Sequence, residues 1–133
     1  MNYRWFPILL LIAFGNAWSY EVRVEIVERM DDSMVVGFIS EADIQASRPW
    51  TPMKEPVPLD IDAAIGAVRK QLQQKRADPA SFSITEIELR QIPQHEGRWH
   101  YIVKGVSAGK NAYYFVLMNG KVVPVIREPE SYK

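Results

Sequence analysis

The chain reads as an α+β domain in which one principal amphipathic helix packs on a mostly antiparallel sheet, preceded by an N-terminal β-hairpin. Three observations predict this. Residues 61–76 place Ile61, Ala64, Ile65, Val68 and Leu72 at helical spacing, with Arg69, Lys70, Gln73 and Gln74 on the other side. Residues 20–26 alternate strictly, setting Val22, Val24 and Ile26 against Glu21, Arg23 and Glu25, the period of a half-buried strand. Residues 82–126 then break into four runs rich in β-branched and aromatic residues, separated by short polar loops.

Residues 1–19 are read as a secretory signal peptide and set apart from the fold. Arg4 and the amino terminus supply positive charge, and an uncharged apolar block follows from Trp5 to Phe14. That block falls well short of the ~20 residues a membrane-spanning helix needs. Small residues at Gly15, Ala17 and Ser19 suit cleavage after Ala17 or Ser19, so the mature chain is expected to begin at Trp18 or Tyr20 and to hold no stable membrane span. The expected compartment is periplasmic or extracellular. Residues 20–133 are the length of one domain and enough to bury a core. With no cysteine, the exported chain has neither a disulfide nor a lipid-anchored thiol, so packing and hydrogen bonds must hold it. Sixteen basic against sixteen acidic residues, interspersed, leave no electrostatic footprint for nucleic acid.

Along this domain, residues 20–39 are expected to form the hairpin, turning at Asp31-Asp32-Ser33. Ser40-Glu41-Ala42-Asp43 resembles a capping box and starts a helical turn or two that ends near Ser47. Pro49, Pro52, Pro56 and Pro58 each remove a backbone donor, making residues 48–58 an extended, Pro-rich strap that carries Trp50. Residues 60–126 supply the helix, with Asp60 as its N-cap, and four strands at 82–92, 98–106, 112–118 and 121–126. Asn119-Gly120 between two apolar runs predicts a two-residue type I′ turn. Apolarity on both faces of 113–118 predicts a central strand covered on each side, while Pro124 puts the last strand toward an edge and the tail after Arg127 is expected to fray.

Several patterns imitate chemistry. Gly105-Val106-Ser107-Ala108-Gly109 matches G-x-S-x-G, but a nucleophile elbow needs a strand-to-helix turn on a large parallel sheet, and here a strand follows. The overlapping run to Asn111 is one residue short of a phosphate loop and lacks its hydroxyl. His95 and His100 are five apart with Gly97 between, so they do not share a helical face as two metal ligands would. Glu86 and Glu88 share a strand face, which two solvated carboxylates on an amphipathic strand also do. Trp99 and Tyr101 are expected to pack under the helix. No catalytic, cofactor or metal residue is assigned. Trp50 alone is singled out as a candidate interaction residue, because a rigid aromatic in a Pro-rich strap makes a good interface anchor.

The order helix, strand, strand, strand, strand resembles the PepSY domain family over about residues 60–126. The residues that carry the likeness are the helix of 61–76, Gly97-Arg98-Trp99-His100-Tyr101-Ile102-Val103, and the return Tyr114-Phe115-Val116-Leu117-Met118-Asn119-Gly120-Lys121-Val122-Val123. The resemblance implies a secreted or membrane-associated module of the peptidase-inhibiting kind. A helix-on-sheet arrangement similar to the cystatins is a second analogy, carried by Tyr101-Ile102-Val103-Lys104-Gly105, although Pro49-Trp50 here precedes the helix instead of lying in a later hairpin. The functional expectation is a small exported non-catalytic binding module, an inhibitor or accessory protein of an envelope protein. The alternatives are a carrier of a small apolar ligand between helix and sheet, and a small enzyme whose polar groups converge only in three dimensions.

Overall fold

A computed structural model describes residues 23–30, 33–123 and 125–129. The expected signal peptide, its expected cleavage site and the expected turn at Asp31-Asp32 lie outside the described residues. The elements are β1 (Arg23–Met30), β2 (Ser33–Ser40), α1 (Glu41–Ala46), α2 (Ile61–Gln74), β3 (Phe82–Gln91), β4 (Trp99–Ser107), β5 (Lys110–Leu117), β6 (Val122–Val123) and β7 (Val125–Pro129), with a 3₁₀ turn at Pro79–Ser81. The class is α+β as expected, and none of the described helices is long and apolar enough to cross a membrane.

Two antiparallel sheets form, in the orders β1-β2-β7 and β3-β4-β5-β6. The four-stranded sheet is covered on both faces. On one, Tyr101, Val103, Val116 and Met118 meet Ala64, Val68 and Leu72 of α2. On the other, Ile102, Phe115 and Leu117 meet Ile26, Val35 and Ile39 of the smaller sheet and Ile44 of α1. This explains the apolarity of 113–118 on both faces, since β5 is central and its alternate residues enter different cores. Trp99 and Tyr101 lie on the α2 side as predicted, and the Tyr101 hydroxyl donates to the Leu59 carbonyl at 2.6 Å.

The caps sit where side-chain chemistry places them. Ser40 Oγ accepts from Asp43 N at 3.1 Å, and Asp60 Oδ1 from Ala63 N at 2.7 Å. Asp60→Ala should cost about 1 kcal/mol, the usual loss for an N-cap acceptor, read from the urea midpoint.

Two local expectations are corrected. The hairpin after β5 is not a two-residue type I′ turn: only Gly120 has positive φ (84°), Gly120 N donates to Leu117 O at 2.9 Å, and Leu117 N to Lys121 O at 2.9 Å. The loop is therefore the three residues Met118-Asn119-Gly120, with the glycine in the left-handed position. Asn119 spends its side chain instead on Lys121 N, accepting at 3.0 Å. Both central residues are left-handed in the turn between Ser107 and Lys110, at Ala108 (φ 50°) and Gly109 (φ 74°). The G-x-S-x-G stretch thus closes a hairpin. Secondly, 121–126 is not one strand. Val122–Val123 pairs with β5 and ends the larger sheet, whereas Val125–Pro129 pairs with β2 in the smaller one, extending past Arg127 where fraying was expected. Proline has no N–H to give a ladder, so the position between these two strands is where continued pairing with one sheet gains least.

Candidate binding surface

The seven residues between β3 and β4, 92–98, hold both α1 and the strap. Ile92 N donates to Arg98 O at 2.7 Å, closing the loop on itself. From it, Arg98 Nη1 donates to the carbonyls of Ile44, at 3.3 Å, and Ser47, supplying donors to the open C-terminal end of α1. Gly97 (φ 76°) turns its carbonyl to Trp50 N at 2.9 Å. His95 places Nδ1 2.8 Å from the Pro93 carbonyl and Nε2 2.8 Å from Glu41 Oε2. Two oxygen acceptors require both ring nitrogens to donate, so the imidazolium is favoured: the Pro93 carbonyl, then Glu41, raises the His95 pKa, and His95 first of all lowers that of Glu41. On the other side of α1, Lys121 Nζ lies 2.6 Å from Asp43 Oδ2 and holds that carboxyl below its ordinary range.

So held, the strap carries Trp50 edge-on against Trp99, with ring centroids 5.2 Å apart and planes at 70°. Trp50 Nε1 donates to the Glu55 carbonyl at 2.9 Å, and Glu55 returns its carboxylate to Thr51 N at 2.9 Å. Lys54 N donates to Thr51 O at 3.3 Å. Trp50 is half-buried. The residue these bonds present is Met53, which is fully exposed (102%) at φ 73°. A non-glycine residue in that region costs roughly 1–2 kcal/mol, and here the side chain gains no contact of its own in return. Pattern reading singled out Trp50 and passed over Met53, because a methionine between prolines carries no periodicity. The one available signal was an apolar side chain in a segment too Pro-rich to bury it.

The polar groups weighed in the sequence lie elsewhere. Lys104 Nζ sits 2.9 Å from Glu88 Oε1 and 3.2 Å from Glu86 Oε2, and Arg90 Nη2 is 2.6 Å from Glu88 Oε2. Lys104 is the first cause of a lowered Glu86 pKa, opposite to what a general acid needs at neutral pH. Glu86 and Lys104 border an open polar cleft of about 300 Å³, together with Asn111 and Tyr113, but His100 is not on its wall. His100 is 1% exposed, with Nδ1 3.3 Å from the Tyr101 carbonyl and its ring 5.4 Å from that of Phe115. Neither this cleft nor the groove between α2 and β3 brings Glu86, Glu88 and His100 together, and no group of three or more potential metal ligands clusters among the described residues. That groove is about 120 Å³, smaller than the ~300 Å³ at which small-molecule pockets begin. No family model, curated protein or solved structure matches the chain.

Proposed function

We propose that this is an exported, non-catalytic binding module with a PepSY-like order of elements, and that it engages an envelope or secreted protein through its strap, with Met53 as the projecting anchor and Trp50 as the buttress behind it. Its carrying observation is the contrast within one loop. Every described polar bond of the strap fixes its shape, while its tip offers an uncovered apolar side chain held at a costly φ. A loop already ordered before contact loses little entropy on binding, which is where affinity is most readily gained. Export is supported by Arg4, the apolar block and the small residues before position 20.

The test is a photo-crosslinker at position 53, with a second at the exposed Lys110 as a positional control. One polypeptide should be captured from position 53 alone, and once purified it should bind the parent protein. Met53→Asp should abolish that binding with an unchanged urea midpoint. Met53→Gly should raise stability by about 1 kcal/mol through relief of the left-handed conformation, and still lose affinity. If Met53→Asp binds the purified partner as well as the parent does, the strap is not the interface.

A further inference from the structure

We propose that the polar cleft at one end of the space between the two sheets binds a neutral saccharide unit. The inference does not depend on the strap reading, since no part of the cleft wall belongs to the strap.

The face of the larger sheet that meets the smaller one changes character along its strands. Ile102 and Phe115, paired across β4 and β5, belong to the apolar core between the sheets. Two residues on, Lys104 pairs with Tyr113, and Glu86 of β3 pairs with Lys104, so the next row across three strands is polar. Asn111 of β5 joins it, and Arg29 of β1 lines the cleft from the smaller sheet. Thr85 arrives by an irregularity. Ile84 pairs with Gly105 and Glu86 with Lys104, so Thr85 is the extra residue of a bulge. Neighbours in a regular strand take opposite faces, yet Thr85 and Glu86 both line the cleft while Ile84 lines the groove at α2. Re-aiming a side chain in this way is what bulges do beside binding and active sites.

The cleft holds about 300 Å³, the size at which small-molecule pockets begin and room for about ten water molecules. Lys104, its side chain only 13% exposed, lies 2.9 Å from Glu88 Oε1 and 3.2 Å from Glu86 Oε2. Those contacts use two of an ammonium's three N–H bonds and leave one. No described residue bonds the hydroxyl of Thr85 or of Tyr113. The charges are thus met within the wall, and what stays open is hydrogen-bonding capacity.

That distinction selects the ligand. A carboxylate drawn to Lys104 would lie against Glu86 and Glu88, and an ammonium drawn to Glu86 would lie against Lys104. A zwitterion would have to divide the Lys104–Glu86 pair. A sugar hydroxyl both donates and accepts, so it extends the network without separating any pair. Tyr113 is half-buried and packs against the core between the sheets, which fixes its ring as an apolar surface for the C–H groups of a sugar.

The probes are the neutral methyl glycosides of glucose, galactose, mannose and N-acetylglucosamine, titrated into protein purified from an export-competent host and followed by amide NMR. At least one should shift amides of 85, 86, 104, 111 and 113 to saturation. The uronic-acid and amino-sugar forms of the tightest binder should both bind more weakly than the neutral form. Glu86→Ala should weaken that glycoside by at least about tenfold, the loss of a charged acceptor, and the isosteric Thr85→Val by about threefold. Both positions are exposed, so the circular dichroism spectrum should not change, and Lys70→Ala on α2 should bind as the parent does. No shift at these amides with any neutral glycoside would overturn the proposal, as would tighter binding of a charged form. Affinity untouched by both Glu86→Ala and Thr85→Val would also overturn it, because the sugar would then sit elsewhere. If the glycosides fail while position 53 still captures its partner, the saccharide site falls and the strap reading stands.

Discussion

Gly37→Ala destabilises the domain by about 3 kcal/mol, at the upper end of what an extra methyl group costs in a packed core. Gly37 lies in β2, paired with Ile26 and Val125, and a Cβ built on it would stand 2.1 Å and 2.2 Å from two ring carbons of Phe115. The aromatic ring of the larger sheet thus occupies the space a side chain on the smaller sheet would fill, the interdigitation by which two sheets pack. The sign does not follow from propensity. Gly37 is not at positive φ, so alanine relieves the entropy cost of a strand glycine, a gain below ~1 kcal/mol that overlap with a buried ring exceeds. Urea denaturation of Gly37→Ala, Phe115→Leu and the double variant separates the two terms. The double variant should recover ~1–2 kcal/mol relative to the sum of the singles, as expected for residues that share one volume. Strict additivity would mean that the ring is not what Gly37 accommodates. Gly105 gives the contrast: its Cβ would meet the Phe82 ring at 2.5 Å but also the Ser83 carbonyl oxygen at 2.5 Å. Shrinking Phe82 cannot move a backbone atom, so Gly105→Ala should resist rescue by Phe82→Leu.

The same contact shows why the architecture was only partly legible. Strand alternation over the described residues 23–26, the Ser40 and Asp60 caps and the apolar stripe of α2 are local signals, and local hydrogen bonds and faces realise them. The stacking of one sheet on the other is non-local. It is decided by pairs such as Gly37 with Phe115, and by β7 leaving the larger sheet for β2, neither of which leaves a period in the sequence. One trace was present. Trp99 and Tyr101 signal only the face of their strand that α2 covers, and Ile102 lies in the other core, yet apolarity on both faces of 113–118 already required a second cover. The strap was legible as a Pro-rich connection. Its fixing by Gly97, and that of α1 by Arg98 and His95, was not, because those contacts join residues some fifty positions apart.

Acidification from pH 6.5 toward 4 should remove stability on the order of 3 kcal/mol through His100 alone. The side chain is buried, and that burial first, with the charge of Arg90 adding to it, pushes its pKa down to about 4; the Tyr101 carbonyl opposes the shift only in part. A pKa depressed in the folded state means that the unfolded chain binds the proton first. The contribution is therefore complete above the unfolded value near 6.5 and is lost as pH falls toward 4. His95 runs the other way. Its pKa is raised, so its contribution is present below 6.5 and disappears only as pH rises through the folded value. Glu41, Asp43 and Glu86 have lowered pKa values and begin to lose stabilisation only as pH falls through their ordinary values of 4.5, 3.8 and 4.5. The interval from 6.5 to 4.5 is thus governed by His100. Urea midpoints at pH 6, 5.5 and 5, below the range in which His95 changes its contribution, should fall steadily for the parent and stay level for His100→Leu, which keeps an apolar side chain against Phe115 and removes the proton site. A slope that persists in His100→Leu and vanishes in His95→Gln would assign the acid sensitivity to the loop that holds α1 instead of to the core.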